Sequence, residues 1–85
     1  MKVRITPKFE KHYKRLPQNI KEKAKVKEKI FRSDSFNPQL KTHRLKGEKE
    51  KAWAFWIDYS YRIKFIFLNK EEVLFLDIGT HKIYK

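Results

Sequence analysis

Histidine is the side chain that ordinarily titrates near neutral pH, and this 85-residue sequence holds three, at positions 12, 43 and 81. His43 opens the stretch "HRLKG"; His81 lies in "LFLDIGTHKIYK", behind Asp77 and Gly79 and ahead of Tyr84. With no cysteine in the chain, the histidine spacing matches no metal-ligand pattern, so neither a metal nor another cofactor is expected. Gly47 and Gly79 are the only glycines, which leaves no glycine-rich phosphate loop, and no serine stands in an elbow motif. What remains is metal-free acid–base chemistry on a substrate that brings its own nucleophile. RNA does so through its 2′-OH. Its cleavage needs a base for that proton, an acid for the leaving 5′-oxygen, and cations against the charge that builds on phosphorus. His43 and His81 are the candidate acid and base, and Arg62, with its planar fork of donors, the candidate phosphate clamp. Tyr84 is placed to give a proton or stack on a base, and Trp56 to stack. His12, on an early helix, is assigned no role.

Charge points to the same class of substrate. Twenty-two Lys and Arg stand against 10 acidic residues, for a formal net charge of +12, and a domain this basic gathers polyanions around it. Lys46, Lys49, Lys51 and Lys64 are the candidate RNA-holding cations beside Trp56. Each choice has a plainer reading. The histidines suit surface positions at a strand start and a strand end, Arg62 suits a cross-sheet pair with Asp77 or Asp58, and the lysines suit a solvated loop.

The elements that must carry these residues follow from the spacing of apolar positions. Val3 to Thr6 reads as a short strand. Thr6-Pro7 is a helix start, since Thr caps and Pro suits the first helical position. Phe9, Tyr13 and Leu16 give that helix one apolar stripe. Pro17 opens a second helix with Ile20, Ala24 and Phe31 on its buried side, ending between Ser33 and Pro38. From Lys41 the period becomes two. Trp53, Phe55 and Ile57 alternate with Ala54, Trp56 and Asp58. After a reversal at Tyr59-Ser60, Ile63, Phe65 and Phe67 alternate with Arg62, Lys64 and Ile66. Val73 to Ile78 is a last strand, and His43 to Leu45 a short one before the loop Lys46 to Lys51. The expected order is β-α-α-β-β-β, with His43 to Leu45 as an optional further strand, an α+β fold of two N-terminal helices on one face of a small, curved, mostly antiparallel sheet. On the last strand Leu74, Leu76 and Ile78 are expected to face the helices. Phe75 and Asp77 then share the open face with Trp56, Arg62 and Lys64, and Gly79 turns the chain off the strand so that His81 and Tyr84 return to that face. Outward Trp56, Ile66 and Phe75 would form apolar patches for a partner.

Residues 1–85 make one domain at this length, and 40 per cent hydrophobic with 15 per cent aromatic residues argues for a folded core. The opening residues hold no apolar run long enough for a signal peptide, and no segment is long enough to span a bilayer. The expectation is a cytoplasmic protein with no membrane partner.

Three stretches, "VRITPKFEKHYKRLP", "HRLKG" with "WAFWIDYSYRIKF", and "LDIGTHKIY", together make the chain resemble toxins of the RelE/ParE superfamily over nearly its whole length. The resemblance implies a toxin of a bacterial type II toxin–antitoxin pair, with a cognate antitoxin as partner and toxin–antitoxin hetero-oligomers. In the ribonuclease branch it implies metal-free cleavage of mRNA, usually in the ribosomal A site, leaving a 2′,3′-cyclic phosphate and a 5′-hydroxyl. The YafQ-like members are the most similar: their histidine before "L-x-G" falls on His43 and that of "G-T-H" on His81. The family's basic residue after the turn falls on Arg62 and its C-terminal aromatic on Tyr84. The family's positively charged surface, which holds ribosomal RNA, is matched by the lysine-rich loop. Trp56 departs from the pattern, standing where many members have arginine. The competing branch, ParE-like, inhibits DNA gyrase by binding and hydrolyses nothing. A third reading is an inactive RNA- or antitoxin-binding module.

Overall fold

The computed structural model describes residues 1–47 and 51–84, with the backbone alone at Tyr84. Its elements are β1 (Lys2–Ile5), α1 (Pro7–Lys14), α2 (Gln18–Ser33), a 3₁₀ turn (Pro38–Leu40), β2 (His43–Arg44), β3 (Trp53–Trp56), β4 (Tyr61–Phe67), β5 (Glu72–Thr80) and a closing 3₁₀ turn (His81–Tyr84). Thr6 joins the first two. Its hydroxyl oxygen accepts from the Phe9 N–H at 3.0 Å and so caps α1. The same hydroxyl donates to the Leu76 carbonyl at 2.8 Å, fastening the start of α1 to β5.

The five strands form an open sheet in the order β1-β5-β4-β3-β2. The pairs β2–β3, β3–β4 and β4–β5 are antiparallel, whereas β1 lies parallel to β5, so the sheet is mixed. Both helices cover one face. There Phe31 is fully buried, stacked on Phe55 with ring centroids 4.6 Å apart and met edge-on by Phe65 and Phe75. Edge-on and offset contacts of this kind suit the ring quadrupoles and let four phenyl groups fill a core from few residues. Phe9, Ile20, Ala24, Leu40, Ile57, Ile63, Val73 and Ile78 complete that core.

On β5 the expected alternation is corrected. Phe75 pairs with Phe65 and Asp77 with Lys64, so Leu76 is an extra residue and the register slips between Lys64 and Phe65. A β-bulge of this kind resets which side a strand presents. Phe75 and Ile78, three apart, therefore both enter the helix-side core, while Leu76 joins Leu45, Ala52, Ala54 and Ile66 in a smaller cluster. Phe75 is thus no part of an exposed patch, and Ile66 is half-buried in that second cluster. Among the described residues no helix is long and apolar enough to cross a membrane.

Candidate functional site

The face of the sheet away from the helices is organised in two rows by strand register. One runs His43, Ala54, Lys64, Asp77 across β2, β3, β4 and β5; the next runs Trp56, Arg62, Gly79. Directly paired residues in neighbouring antiparallel strands project to one side. The tryptophan and the two cations accordingly share this face, as their alternation in the sequence implies. Strands about 4.8 Å apart put roughly 14 Å of sheet between His43 and Asp77.

Arg62 is not an open clamp. It is only 9% exposed, and its guanidinium carbon lies 3.9 Å from the centroid of the Trp56 ring. Nη1 donates to three backbone carbonyls of the β3–β4 turn: Asp58 and Tyr59 at 2.8 Å each and Tyr61 at 3.2 Å. Neither expected partner carboxylate receives it. The Asp58 side chain faces the turn from the other side, Oδ1 accepting from the N–H groups of Ser60 and Tyr61, both at 2.9 Å. Burial pushes the Asp58 carboxyl up, but these two backbone donors and Lys23 outweigh it and hold the group below its ordinary value. Lys41, in left-handed backbone at φ 49°, sets its ammonium 5.0 Å from the Trp56 ring centroid. Trp56 is therefore half-buried among cations rather than bare.

His43 is exposed at the sheet's β2 edge, and its Nδ1 lies 2.8 Å from the Lys41 carbonyl. A carbonyl only accepts, so Nδ1 carries the hydrogen and Nε2 the lone pair when the ring is neutral. His81 is exposed at the start of the closing 3₁₀ turn. Gly79 serves that turn differently from expectation: it lies inside β5, and a Cβ added to it would come within 2.9 Å of Ile83 Cγ2. Its bareness lets Ile83 seat on the strand, so that the 3₁₀ turn folds back beside the Trp56–Arg62 row. His43 therefore lies at the β2 side of the open face and His81 just past the end of β5. Lys46 and Lys51 are exposed; Lys49 and the side chain of Tyr84 lie outside the described residues. Among the described residues no three His, Asp or Glu side chains are grouped to hold a metal. A groove of about 560 Å³ runs along α2 past Lys23, Val26 and Ile57, and none of the histidines lines it.

One pair went unread in the sequence. His12 Nδ1 lies 2.6 Å from Asp77 Oδ1, across 65 residues of chain. Asp77 is 4% exposed, its Oδ1 also accepts from the Ile78 N–H at 2.8 Å, and Lys8 Nζ stands 3.6 Å from Oδ2. A lone acid within the apolar run of β5 was the available signal, since a buried carboxylate needs a partner.

No family model matches the sequence, and no curated protein matches it. Solved structures do match the fold. The YoeB/ParE toxin from Agrobacterium tumefaciens superposes at a TM-score of 0.77, with 19% identity over 95% of this chain and 99% of that one. YafQ from E. coli strain BL21(DE3) gives 0.77, with 15% identity over 95% and 93%. The RelB–RelE antitoxin–toxin complex from Methanococcus jannaschii gives 0.72, with 23% identity over 95% and 93%. The fold is that of the RelE, YafQ and ParE toxins.

Proposed function

We propose that this chain is the toxin of a type II toxin–antitoxin pair and acts as a metal-independent endoribonuclease on mRNA in the ribosomal A site. The observation that carries the reading is the pair of exposed imidazoles, His43 and His81, flanking a basic sheet face on a RelE/YafQ fold. RNA lies across that face with the scissile phosphate between them. His43, its Nδ1–H held by the Lys41 carbonyl, takes the 2′-OH proton at Nε2. The 2′-oxygen bonds to phosphorus as the P–O5′ bond breaks, and His81 gives its proton to the leaving 5′-oxygen. The products are a 2′,3′-cyclic phosphate and a 5′-hydroxyl. Lys64 meets the phosphate. Arg62 adds charge from beneath Trp56 rather than a two-pronged grip, and Tyr84 and Trp56 stack on bases. Lys46, Lys49 and Lys51 hold ribosomal RNA by charge. The partner that silences the chain is a cognate antitoxin.

The test compares cleavage of one mRNA, naked and on translating ribosomes, by wild type and His81→Ala. Cuts at codon positions on ribosomes only, reduced at least 100-fold in the variant with its melting curve unchanged, are expected. Full activity of His81→Ala overturns the assignment of the acid. No cutting by wild type in either format overturns the nuclease, and a DNA supercoiling assay then decides for the gyrase-inhibiting alternative.

A further inference from the structure

We propose that the RNA track continues off the sheet face, across β5 at Asp77, onto a basic stripe of α1 where His12 contacts a phosphate. The inference rests on the RNA-binding reading above and adds a second contact region to it.

Lys8, Lys11, His12 and Arg15 occupy positions i, i+3, i+4 and i+7, one side of α1 and its last turn. Phe9 and Tyr13 point to the core, and Glu10 pairs with Lys14 at 3.5 Å on the remaining side. Every residue of the stripe is therefore a cation or an imidazole. Lys8, Lys11 and Arg15 are exposed and His12 partly so.

Asp77 connects the stripe to the open face. Its register neighbour on β4 is Lys64, and on the far side it meets His12 and Lys8 of α1. β1 stops pairing with β5 at Phe75, so this part of the β5 edge is crossed by α1 rather than by a strand. A phosphate chain over Lys64 reaches His12 by passing one strand. Asp77 accepts the Nδ1 hydrogen and leaves Nε2 outward, with no partner among the described residues. With Nδ1–H held by Asp77, Nε2 is the ring atom that meets a phosphate oxygen, donating to it as the imidazolium Nε2–H. The charged groups facing His12 are Asp77 from β5 and Lys8, Lys11 and Arg15 from α1, with Lys64 one strand further.

The stripe favours a nucleic-acid backbone over an acidic protein segment. It offers donors alone and no apolar position to seat a side-chain anchor, which a peptide needs for more than weak attraction; phosphates need only donors and charge.

The probe is a fluorescent single-stranded 2′-O-methyl RNA, which cannot be cleaved, followed by anisotropy across a salt series. Lys11→Gln/Arg15→Gln is expected to lower the slope of log affinity against log salt by about 1.4, two single-strand phosphate contacts. His12→Gln is expected to bind several-fold more weakly than wild type. His43 and His81 are common to both proteins and drop out of the comparison. Asp77→Asn is expected to behave like His12→Gln. If that variant unfolds, the exposed double variant still decides. Wild-type affinity and salt slope in both the His12 and the double variant overturn the stripe. So does loss of binding to a poly-glutamate peptide, with RNA binding intact, which assigns the stripe to an acidic protein. Wild type that cleaves translated mRNA while the variants bind unchanged overturns the stripe alone; wild type that binds no RNA overturns the proposed function with it.

Discussion

Arg62 and Asp58 hold the same turn from opposite sides, and their chemistry there can be separated from any contact with RNA. A lysine in place of Arg62 keeps the charge but lacks the flat group that stacks on Trp56 while bonding three carbonyls. Arg62→Lys should lose about 1–3 kcal/mol of stability. A fall of several degrees in the melting temperature is the expected readout, with cleavage tracking the folded fraction. A sharp loss of cleavage at an unchanged melting temperature would instead mean direct contact with the phosphate. Asp58 has a pH signature. Its carboxyl titrates lower in the folded chain than the reference 3.8 of a free group, so its contribution is present above that value and is lost as pH falls through the folded one. Asp58→Asn keeps an oxygen for Ser60 and Tyr61 but cannot titrate. Urea unfolding should show the advantage of wild type over this variant shrinking between about pH 6 and about pH 2.5. From sequence alone, Arg62 was legible as a residue of the open face; its burial was not, because three backbone carbonyls converging on Nη1 leave no mark on side-chain spacing.

At the scale of elements, the closing 3₁₀ turn stands or falls with Gly79. An alanine there would place Cβ 2.9 Å from Ile83 Cγ2, closer than such atoms approach, so the turn bearing His81 must shift. Gly79→Ala should fold, since the position is extended strand, yet slow the proposed mRNA cleavage at least tenfold. Adding Ile83→Ala, which removes the clashing methyl, should restore part of the activity; matched rates for Gly79→Ala and wild type would disconnect the turn from catalysis. The alternation of Trp53 to Phe67 and the Thr6-Pro7 start announced β3, β4 and α1 because each depends on neighbours in sequence. β5 misled at Phe75 because one extra residue, Leu76, reverses the phase in mid-strand, and a bulge depends on the partner strand as much as on its own residues. The His12–Asp77 pair was hidden for a related reason: helical spacing gathers the cations around His12, but nothing local says that Asp77 will be the carboxylate behind it.

For the molecule as a whole, the net charge of +12 and the division of the sheet into a helix-covered face and a basic one are properties of a finished fold, and the order of the strands decides when it is finished. β5 lies between β4 and β1, so among the described strands β1 pairs with β5 alone, and Thr6 bonds to a carbonyl 70 residues onward. The two helices are synthesised before Phe55, Phe65 and Phe75, the residues on which Phe31 packs. Contacts so distant along the chain delay folding until both β1 and β5 are available. A growing chain therefore carries His43 long before it has a sheet to hold it. For a protein proposed to act on ribosomes, this topology separates manufacture from action: the chain gains its working face in one late step, after the segment holding β5 has emerged.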